Sequence, residues 1–322
     1  MCPLNCTENQ TSLNSTATND CDSFAESSTQ VKCIKTFAYC STMFLSLFGN
    51  LAVITIVSKN KRMWTTTNCL IANMAASDLP LFVRCTEREL AEVFTGPRIW
   101  LLDGLSGLIL CKLVYFFQDI SAAVSIQSLG VIAIDRYRGV VFPFRPSITT
   151  SKVTKVIIPI IWIVAMCLHG SYFYTARLVR QDNKLYCTIS WAPEFDDQQT
   201  QERYFVVVLI FLPLCVILPL YILILKELKK RKPTKNGASL KIRSLKDRED
   251  TAIVKRIFIL VFLFVLCLTP VTVLALLYYF VWGWHLSCSM NKLFSAAKFI
   301  FYFNASLNPC VYFILSERYD RN

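Results

Sequence analysis

The sequence predicts an all-α membrane protein, a seven-transmembrane helix bundle with a short amphipathic helix 8. Of its 322 residues, 54% are hydrophobic and only 17% are charged, which is more apolar surface than a soluble domain of this length needs. The apolar residues fall into seven blocks, each of roughly the 20 or more residues that a helix needs to cross a bilayer. Most Lys and Arg residues lie in segments that would share one side of the membrane. These three observations predict the fold class.

The predicted chain has three parts. Residues 1–35 are polar and are expected to form a disordered, glycosylated extracellular N-terminus. Residues 36–315 form the transmembrane domain, and residues 316–322 a short cytoplasmic tail with helix 8. The predicted spans are 36–58, 67–91, 108–139, 153–174, 203–228, 252–282 and 291–314. Polar, charged or Pro/Gly-containing stretches separate them.

The distribution of positive charge predicts the orientation. With the N-terminus outside, the inner segments hold most of the bases, including twelve from Lys226 to Arg256. The net charge of +12 is then a cytoplasmic property. It suits anionic membrane lipids and an acidic or groove-bearing protein partner better than nucleic acid. Three glycosylation acceptors in the N-terminal tail, Asn5, Asn9 and Asn14, agree with this topology, although chance in a Ser/Thr/Asn-rich tail is the alternative.

Several cysteines fall on the outer side, where disulfides persist. Cys111 starts the third span, and Cys187 lies in the long loop after the fourth. A bridge between them would tie this loop over the mouth of the bundle. Either Cys21 or Cys33 is a candidate to pair with Cys288, which lies between spans six and seven.

Every span carries a short motif. Asp135-Arg136-Tyr137 ends span three and places a costly charged pair at the membrane edge. The remaining motifs are Gly49-Asn50, Ala75-Ala76-Ser77-Asp78, Trp162, Pro213 with Tyr221, Phe264 with Pro270, and Asn308-Pro309-Cys310-Val311-Tyr312. Seven spans alone would also fit a transporter or channel. This ordered set, however, resembles the rhodopsin-like (class A) G-protein-coupled receptors over about residues 36–319.

The resemblance implies how a signal leaves the membrane. In this family helix six moves outward, frees the arginine that corresponds to Arg136, and uncovers a groove for a heterotrimeric G protein. Asp250 stands where the resting-state partner of that arginine is found, although a solvated charge is the other interpretation. The further switch and G-protein residues are Asp135, Tyr137, Pro143, Phe144, Tyr221, Phe264, Pro270 and Tyr312. Leu268 departs from the family, which commonly has Trp there, so the usual aromatic side chain is absent at this position.

Asp78 is the lone acid in the apolar part of span two. A buried carboxylate must find a partner, be neutralised, or bind a cation. The resemblance implies an allosteric sodium pocket formed by Asp78 with Ser125, Asn304 and Asn308. A water-filled polar cluster without sodium is the alternative, and we expect no other cofactor.

The outer ends of the spans indicate the class of ligand. Gln118 stands where amine receptors of this family carry Asp, and Tyr302 where opsins carry the retinal-binding Lys, so both ligands are disfavoured. The other expected contacts are polar, charged or aromatic and suit an extracellular peptide, most of all a neuropeptide. Gln118 and Lys298 are the first candidates. The further ones are Arg84, Glu87, Arg88, Asp119, Tyr172, Glu202, Tyr278 and Tyr302.

Other functions are open at this point. A chemokine-like or lipid ligand is the alternative within the same fold. A transporter is the alternative outside it, but it would need internal repeats or broken helices around a midplane site, and the sequence shows no such symmetry. An enzyme is not expected, because the sequence has no metal-ligand cluster, nucleophile elbow or phosphate-binding glycine loop.

Overall fold

The computed structural model describes residues 29–81, 90–95, 99–142, 150–181, 183–190, 214–227, 230, 238–282 and 288–320. Long helices form most of this part of the chain. They are α1 Thr29–Lys59, α2 Thr66–Asp78, α3 Gly104–Val141, α4 Ser151–His169, α5 214–227, α6 Ala238–Leu276 and α7 Cys288–Asp320. Short turns of helix cover Lys61–Met63, Ala91–Thr95, Tyr172–Thr175 and Leu277–Val281. The strands β1 Ala176–Gln181 and β2 Lys184–Ile189 form an antiparallel hairpin.

Several helices extend beyond the apolar blocks of the sequence. α1 begins at Thr29 rather than at 36, and α6 begins at Ala238 rather than at 252. The main-chain hydrogen bonds of a helix can continue where the side chains become polar, so an apolar block marks the membrane part and not the helix end. α7 runs without a break to Asp320, so the described backbone does not separate an eighth helix from the seventh.

The helices present large apolar side chains to their surroundings, and they bury several polar side chains among apolar ones where they meet. Phe37 on α1 is 76% exposed and Leu105 on α3 is 74% exposed, whereas Asn50 and Ser306 are 0% exposed. Lipid favours this distribution, because in a bilayer the polar groups must find partners inside the bundle. Four described helices are long and apolar enough to cross a membrane: Thr29–Lys59, Gly104–Val141, Lys152–Thr175 and Thr251–Leu276.

α3 lies at the centre of the bundle. It packs against α2, α4 and α6, while α1 lies between α2 and α7, and α7 packs on α6. Ile120, Val124 and Leu129 of α3 belong to the largest buried apolar cluster. At the contact of α1 with α7, a Cβ on Gly49 would lie 2.6 Å from Cγ of Pro309, so only glycine permits this approach.

The β-hairpin is fixed to the outer end of α3. Cys111 and Cys187 form the predicted disulfide, with their Cα atoms 5.8 Å apart. The Tyr115 hydroxyl also donates to the Cys187 carbonyl over 3.2 Å. The other predicted disulfide is not formed from Cys33, which carries a free thiol on the exposed face of α1. Cys21 and the side chain of Cys288 lie outside the described residues, as do Asn5, Asn9 and Asn14.

Candidate functional site

A chain of hydrogen bonds crosses the outer part of the bundle. The Tyr302 hydroxyl of α7 donates to Gln118 Oε1 over 3.1 Å, and Gln118 Nε2 donates to Asp119 Oδ1 over 3.1 Å. The hydroxyl of Tyr172, in the turn after α4, donates to Asp119 Oδ2. We call Gln118, Asp119, Tyr172 and Tyr302 the outer network. It joins three helical segments that are far apart in the sequence.

Aromatic packing supports the Asp119 side of the outer network. The Tyr172 ring stacks with the rings of Tyr115 and His169, at centroid distances of 5.9 Å and 6.3 Å. His169 Nδ1 lies 3.9 Å from Asp119 Oδ2, which is within ion-pair range but too long for a hydrogen bond. Two ring contacts therefore pack against Tyr172, and its hydroxyl donates to the carboxylate.

The outer network unites four of the predicted ligand contacts, Gln118, Asp119, Tyr172 and Tyr302. Lys298 and Tyr278 are half-buried on α7 and in the turn after α6, and the Tyr278 ring meets Phe294 edge-on at 6.3 Å. The remaining predicted contacts lie outside the described residues: Arg84, Glu87, Arg88 and Glu202.

A second polar cluster lies deeper in the bundle, around Asp78. The Ser121 hydroxyl donates to Asp78 Oδ1 over 2.7 Å, and Asn308 Nδ2 donates to Oδ2 over 2.9 Å. The Asp78 carboxylate is buried, and these two hydrogen bonds join it to α3 and α7. Ser121 was missing from the predicted set, although it lies four residues before Ser125 and hence on the same helix face. We call Asp78, Ser121, Ser125, Asn304 and Asn308 the mid-membrane cluster.

Two oxygens of the mid-membrane cluster, Ser125 Oγ and Asn304 Oδ1, have no hydrogen-bond partner among the described residues. Each lies one helical turn from a side chain that binds Asp78. Within the part of the chain that the structure describes, no group of three or more His, Cys, Asp or Glu side chains is placed to hold a metal. One carboxylate with neutral oxygens suits a hard, singly charged cation rather than a transition metal, so these residues fit the predicted sodium ion.

At the inner end of α3, Arg136 pairs with its neighbour in the sequence. Its Nη2 and Nε lie 2.6 Å and 3.2 Å from Asp135 Oδ2, and Asp135 is buried. Tyr221 of α5 is fully buried, and its hydroxyl has no hydrogen-bond partner among the described residues. Asp250 belongs to α6, but its side chain lies outside the described residues, as do Pro143 and Phe144.

Three further positions that the sequence singled out lie on α6 and α7. The Tyr312 hydroxyl donates to Met63 Sδ over 3.8 Å and thereby connects α7 to the turn after α1. Phe264 and Leu268 precede Pro270 on α6, and both are buried in the main apolar cluster. The position where the family commonly has Trp is thus an aliphatic core position in this protein.

The structure also shows a polar contact that the sequence analysis did not identify. Asn73 of α2 accepts a hydrogen bond from Trp162 Nε1 over 2.8 Å and donates to Ser128 Oγ over 3.1 Å. It therefore joins α2, α3 and α4 in the lower half of the bundle. The sequence feature that could have identified Asn73 is its side-chain amide within a predicted span. A polar side chain at membrane depth turns to a neighbouring helix for its partners.

Comparisons with known proteins agree with this geometry. The family described as "7 transmembrane receptor (rhodopsin family)" matches residues 49–312. The "QRFP-like peptide receptor" of Branchiostoma floridae is 31% identical over 309 residues, covering 92% of this chain and 78% of the relative. The human "Growth hormone secretagogue receptor type 1" is 28% identical over 300 residues, covering 88% and 77%.

The rat "Pyroglutamylated RF-amide peptide receptor" is 28% identical over 292 residues, covering 86% of this chain. The chain matches 66% of the length of that relative. The family match extends from the Gly49-Asn50 motif to Tyr312 and includes α3 with its outer and inner polar groups. The protein is therefore a multi-pass receptor of the plasma membrane and not an enzyme, and it belongs to the rhodopsin family of seven-transmembrane receptors.

Proposed function

We propose that this receptor binds an extracellular neuropeptide at the outer network and activates heterotrimeric G proteins when α6 opens at the cytoplasmic side. One observation carries the proposal. A single unbroken helix, α3, holds both Gln118 and Arg136, 18 residues apart, which is about 27 Å along the axis. A displacement of α3 or of its neighbours at the outer end would therefore reach the inner charged pair.

The peptide ligand is supported by the chemistry of the outer end and by the relatives. Gln118 offers an amide, Lys298 a positive charge, and Tyr278 and Tyr302 aromatic rings with hydroxyls, a mixture that suits peptide side chains and main-chain groups. Arg84, Glu87, Arg88 and Glu202 would add charges of both signs. The names of the rat and Branchiostoma relatives describe them as peptide receptors.

The proposed topology has seven spans, with the N-terminus outside and with Asn5, Asn9 and Asn14 glycosylated. The positive-inside distribution supports it. The Cys111–Cys187 disulfide then lies on the outer side and Arg136 on the inner side, where the basic segments meet anionic lipid. Residues 316–322 would continue along the inner surface as the amphipathic helix 8.

The proposed switch releases Arg136 from its resting contacts. Asp135 holds it in this structure, and Asp250 of α6 would provide a second partner when the helices are close. Pro270 leaves a carbonyl of α6 without its helical donor and so provides a place to bend. Opening there would let the freed Arg136 meet Tyr221, with Pro143 and Phe144 contacting the G protein.

The mid-membrane cluster is proposed to bind sodium through Asp78, Ser125 and Asn304. The two oxygens without partners among the described residues support this, because a hard cation would satisfy both and balance the buried charge. Sodium would then stabilise the closed arrangement if it binds that arrangement more tightly.

The test is nucleotide exchange. Receptor in nanodiscs is mixed with purified heterotrimers and a peptide panel that includes a pyroglutamylated RF-amide peptide, and GTP analogue binding is measured. We expect at least one peptide to accelerate exchange, with Gln118→Ala weakening its potency by about tenfold, the loss of one good polar contact. Arg136→Ala should abolish exchange. Peptide-driven solute flux through proteoliposomes without nucleotide exchange would instead indicate a transporter.

A further inference from the structure

The charge of Asp119 fixes which group donates and which accepts in each hydrogen bond of the outer network. An ionised carboxylate only accepts hydrogen bonds, so every group bonded to Asp119 must donate to it. Tyr172 meets this condition through its hydroxyl. Gln118 can meet it only with its amide nitrogen towards Asp119, as the 3.1 Å contact of Nε2 with Oδ1 shows.

This orientation of the Gln118 amide determines the hydrogen bond that Gln118 makes with α7. With Nε2 turned to Asp119, Oε1 faces α7 and accepts from the Tyr302 hydroxyl at 3.1 Å. A neutral amide at position 119 would accept or donate and would leave both orientations of Gln118 possible. The charge of Asp119 therefore determines a hydrogen bond between α3 and α7 in which it takes no direct part.

We propose that Asp119 is a positioning residue: it holds the Gln118 amide with nitrogen towards Asp119 and oxygen towards Tyr302. The second N–H of Gln118 has no partner among the described residues, and it becomes the donor that the site offers to a carbonyl or carboxylate oxygen of a ligand. This last consequence rests on the proposed function, in which Gln118 is a ligand contact. The positioning itself does not.

The contacts of Asp119 favour this role over a direct ion pair with a ligand. Both of its oxygens already accept hydrogen bonds, from Gln118 and from Tyr172, and its side chain is 22% exposed. These two donors occupy part of the acceptor capacity of the carboxylate and hold it inside the bundle, so less of it is open to a ligand cation. His169 at 3.9 Å leaves the hydrogen-bond pattern unchanged.

A double-mutant cycle without ligand tests the proposal, with thermal unfolding of the receptor in nanodiscs as the measurement. Gln118→Glu places two carboxylates where a donor met an acceptor, and we expect Tm to fall by roughly 6 °C or more. Asp119→Asn alone should lower Tm by about 2 °C, because an amide can still accept from Tyr172. The double variant Q118E/D119N reverses the pair: the new amide at position 119 donates to the new carboxylate at position 118. Tyr302 still donates to that carboxylate, so most of the loss should be recovered.

Tyr172→Phe is the matched control, since it removes a donor from Asp119 without changing what Gln118 faces. Its combination with Gln118→Glu should give additive losses of Tm and no rescue. If Gln118→Glu does not fold, rescue of folded, surface-expressed receptor by the added Asp119→Asn is the same coupling. Additive losses in Q118E/D119N would overturn the proposal. The cycle uses no peptide, so a failed peptide screen and a failed cycle remain separate results.

Discussion

The outer network and the mid-membrane cluster are both built around one aspartate on or beside α3, yet they differ in how completely their polar atoms are satisfied. Asp119 and Asp78 each accept two hydrogen bonds from neighbouring side chains. Around Asp119, the side-chain amide of Gln118 donates through its nitrogen and accepts through its oxygen. Around Asp78 two oxygens, Ser125 Oγ and Asn304 Oδ1, lack a partner among the described residues.

The difference separates two uses of an acid inside the bundle. A carboxylate whose neighbours are all donors fixes their orientation, which suits the shape of a binding site. A carboxylate with unpaired oxygens beside it has unused acceptors in a low-dielectric interior, where each is costly unless a cation or water completes the set. The first arrangement gives a defined surface, and the second gives a site whose stability depends on what it binds.

Among the variants that compare the two regions in the two salts, the largest effect should distinguish the two serines of the mid-membrane cluster. Ser121→Ala removes a donor from buried Asp78 and should lower Tm by roughly 5 °C, in sodium or in choline chloride, since hydrogen bonds to charged groups contribute about 1.5–3 kcal/mol. Ser125→Ala removes a hydroxyl that has no partner in the described structure, so in choline chloride its Tm should be unchanged or slightly higher.

Thermal unfolding of both variants in nanodiscs provides the measurement, and the two positions are well matched because they share one face of α3. Equal losses of Tm for Ser121→Ala and Ser125→Ala in choline chloride would remove the distinction between satisfied and unsatisfied oxygens.

A smaller effect tests sodium itself. Replacing choline chloride by sodium chloride at equal ionic strength should raise the Tm of the native receptor by roughly 3 °C, the gain for a ligand at about ten times its Kd. Asp78→Asn should remove this gain, because the charge that attracts the cation is lost. The same Tm for the native receptor in both salts would show that the cluster holds no sodium.

The smallest effect in this salt comparison is expected for Tyr302 of the outer network. Tyr302→Phe removes the donor to Gln118 Oε1 and should lower Tm by about 2 °C, corresponding to a neutral hydrogen bond of about 1 kcal/mol. Because the outer network shares no hydrogen bond with Asp78 among the described residues, the loss should be equal in sodium and choline chloride. A salt-dependent loss in Tyr302→Phe would mean that the two clusters are coupled and cannot be treated as separate regions.

Much of the architecture could be predicted because it depends on local patterns. A bilayer selects for long apolar blocks, and these gave the approximate positions of the helices. Cys111 and Cys187 were candidates for a bridge because both fall on the outer side, and the structure pairs them. The helix ends were less predictable, as α1 and α7 show, because a helix does not stop where its side chains cease to be apolar.

The residues that form the sites could be predicted better than the hydrogen bonds between them. Asp78, Asn308 and Arg136 were named from their motifs, and the structure bonds Asp78 to Asn308. It also adds Ser121, which no motif marked. Cys33 shows the reverse case, since an outer cysteine was a fair candidate for a disulfide and yet remains a free thiol.

The sequence by itself determined a membrane-embedded helical bundle, its charge asymmetry and the residues that carry the receptor motifs, because composition and spacing act along the chain. Only the tertiary structure decided which polar groups meet: Tyr302 with Gln118, Tyr172 with Asp119, and Ser121 with Asp78. These pairs join residues on different helical segments. A hydrogen bond forms only when the donor–acceptor distance is correct to within a few tenths of an ångström, and helix packing sets that distance.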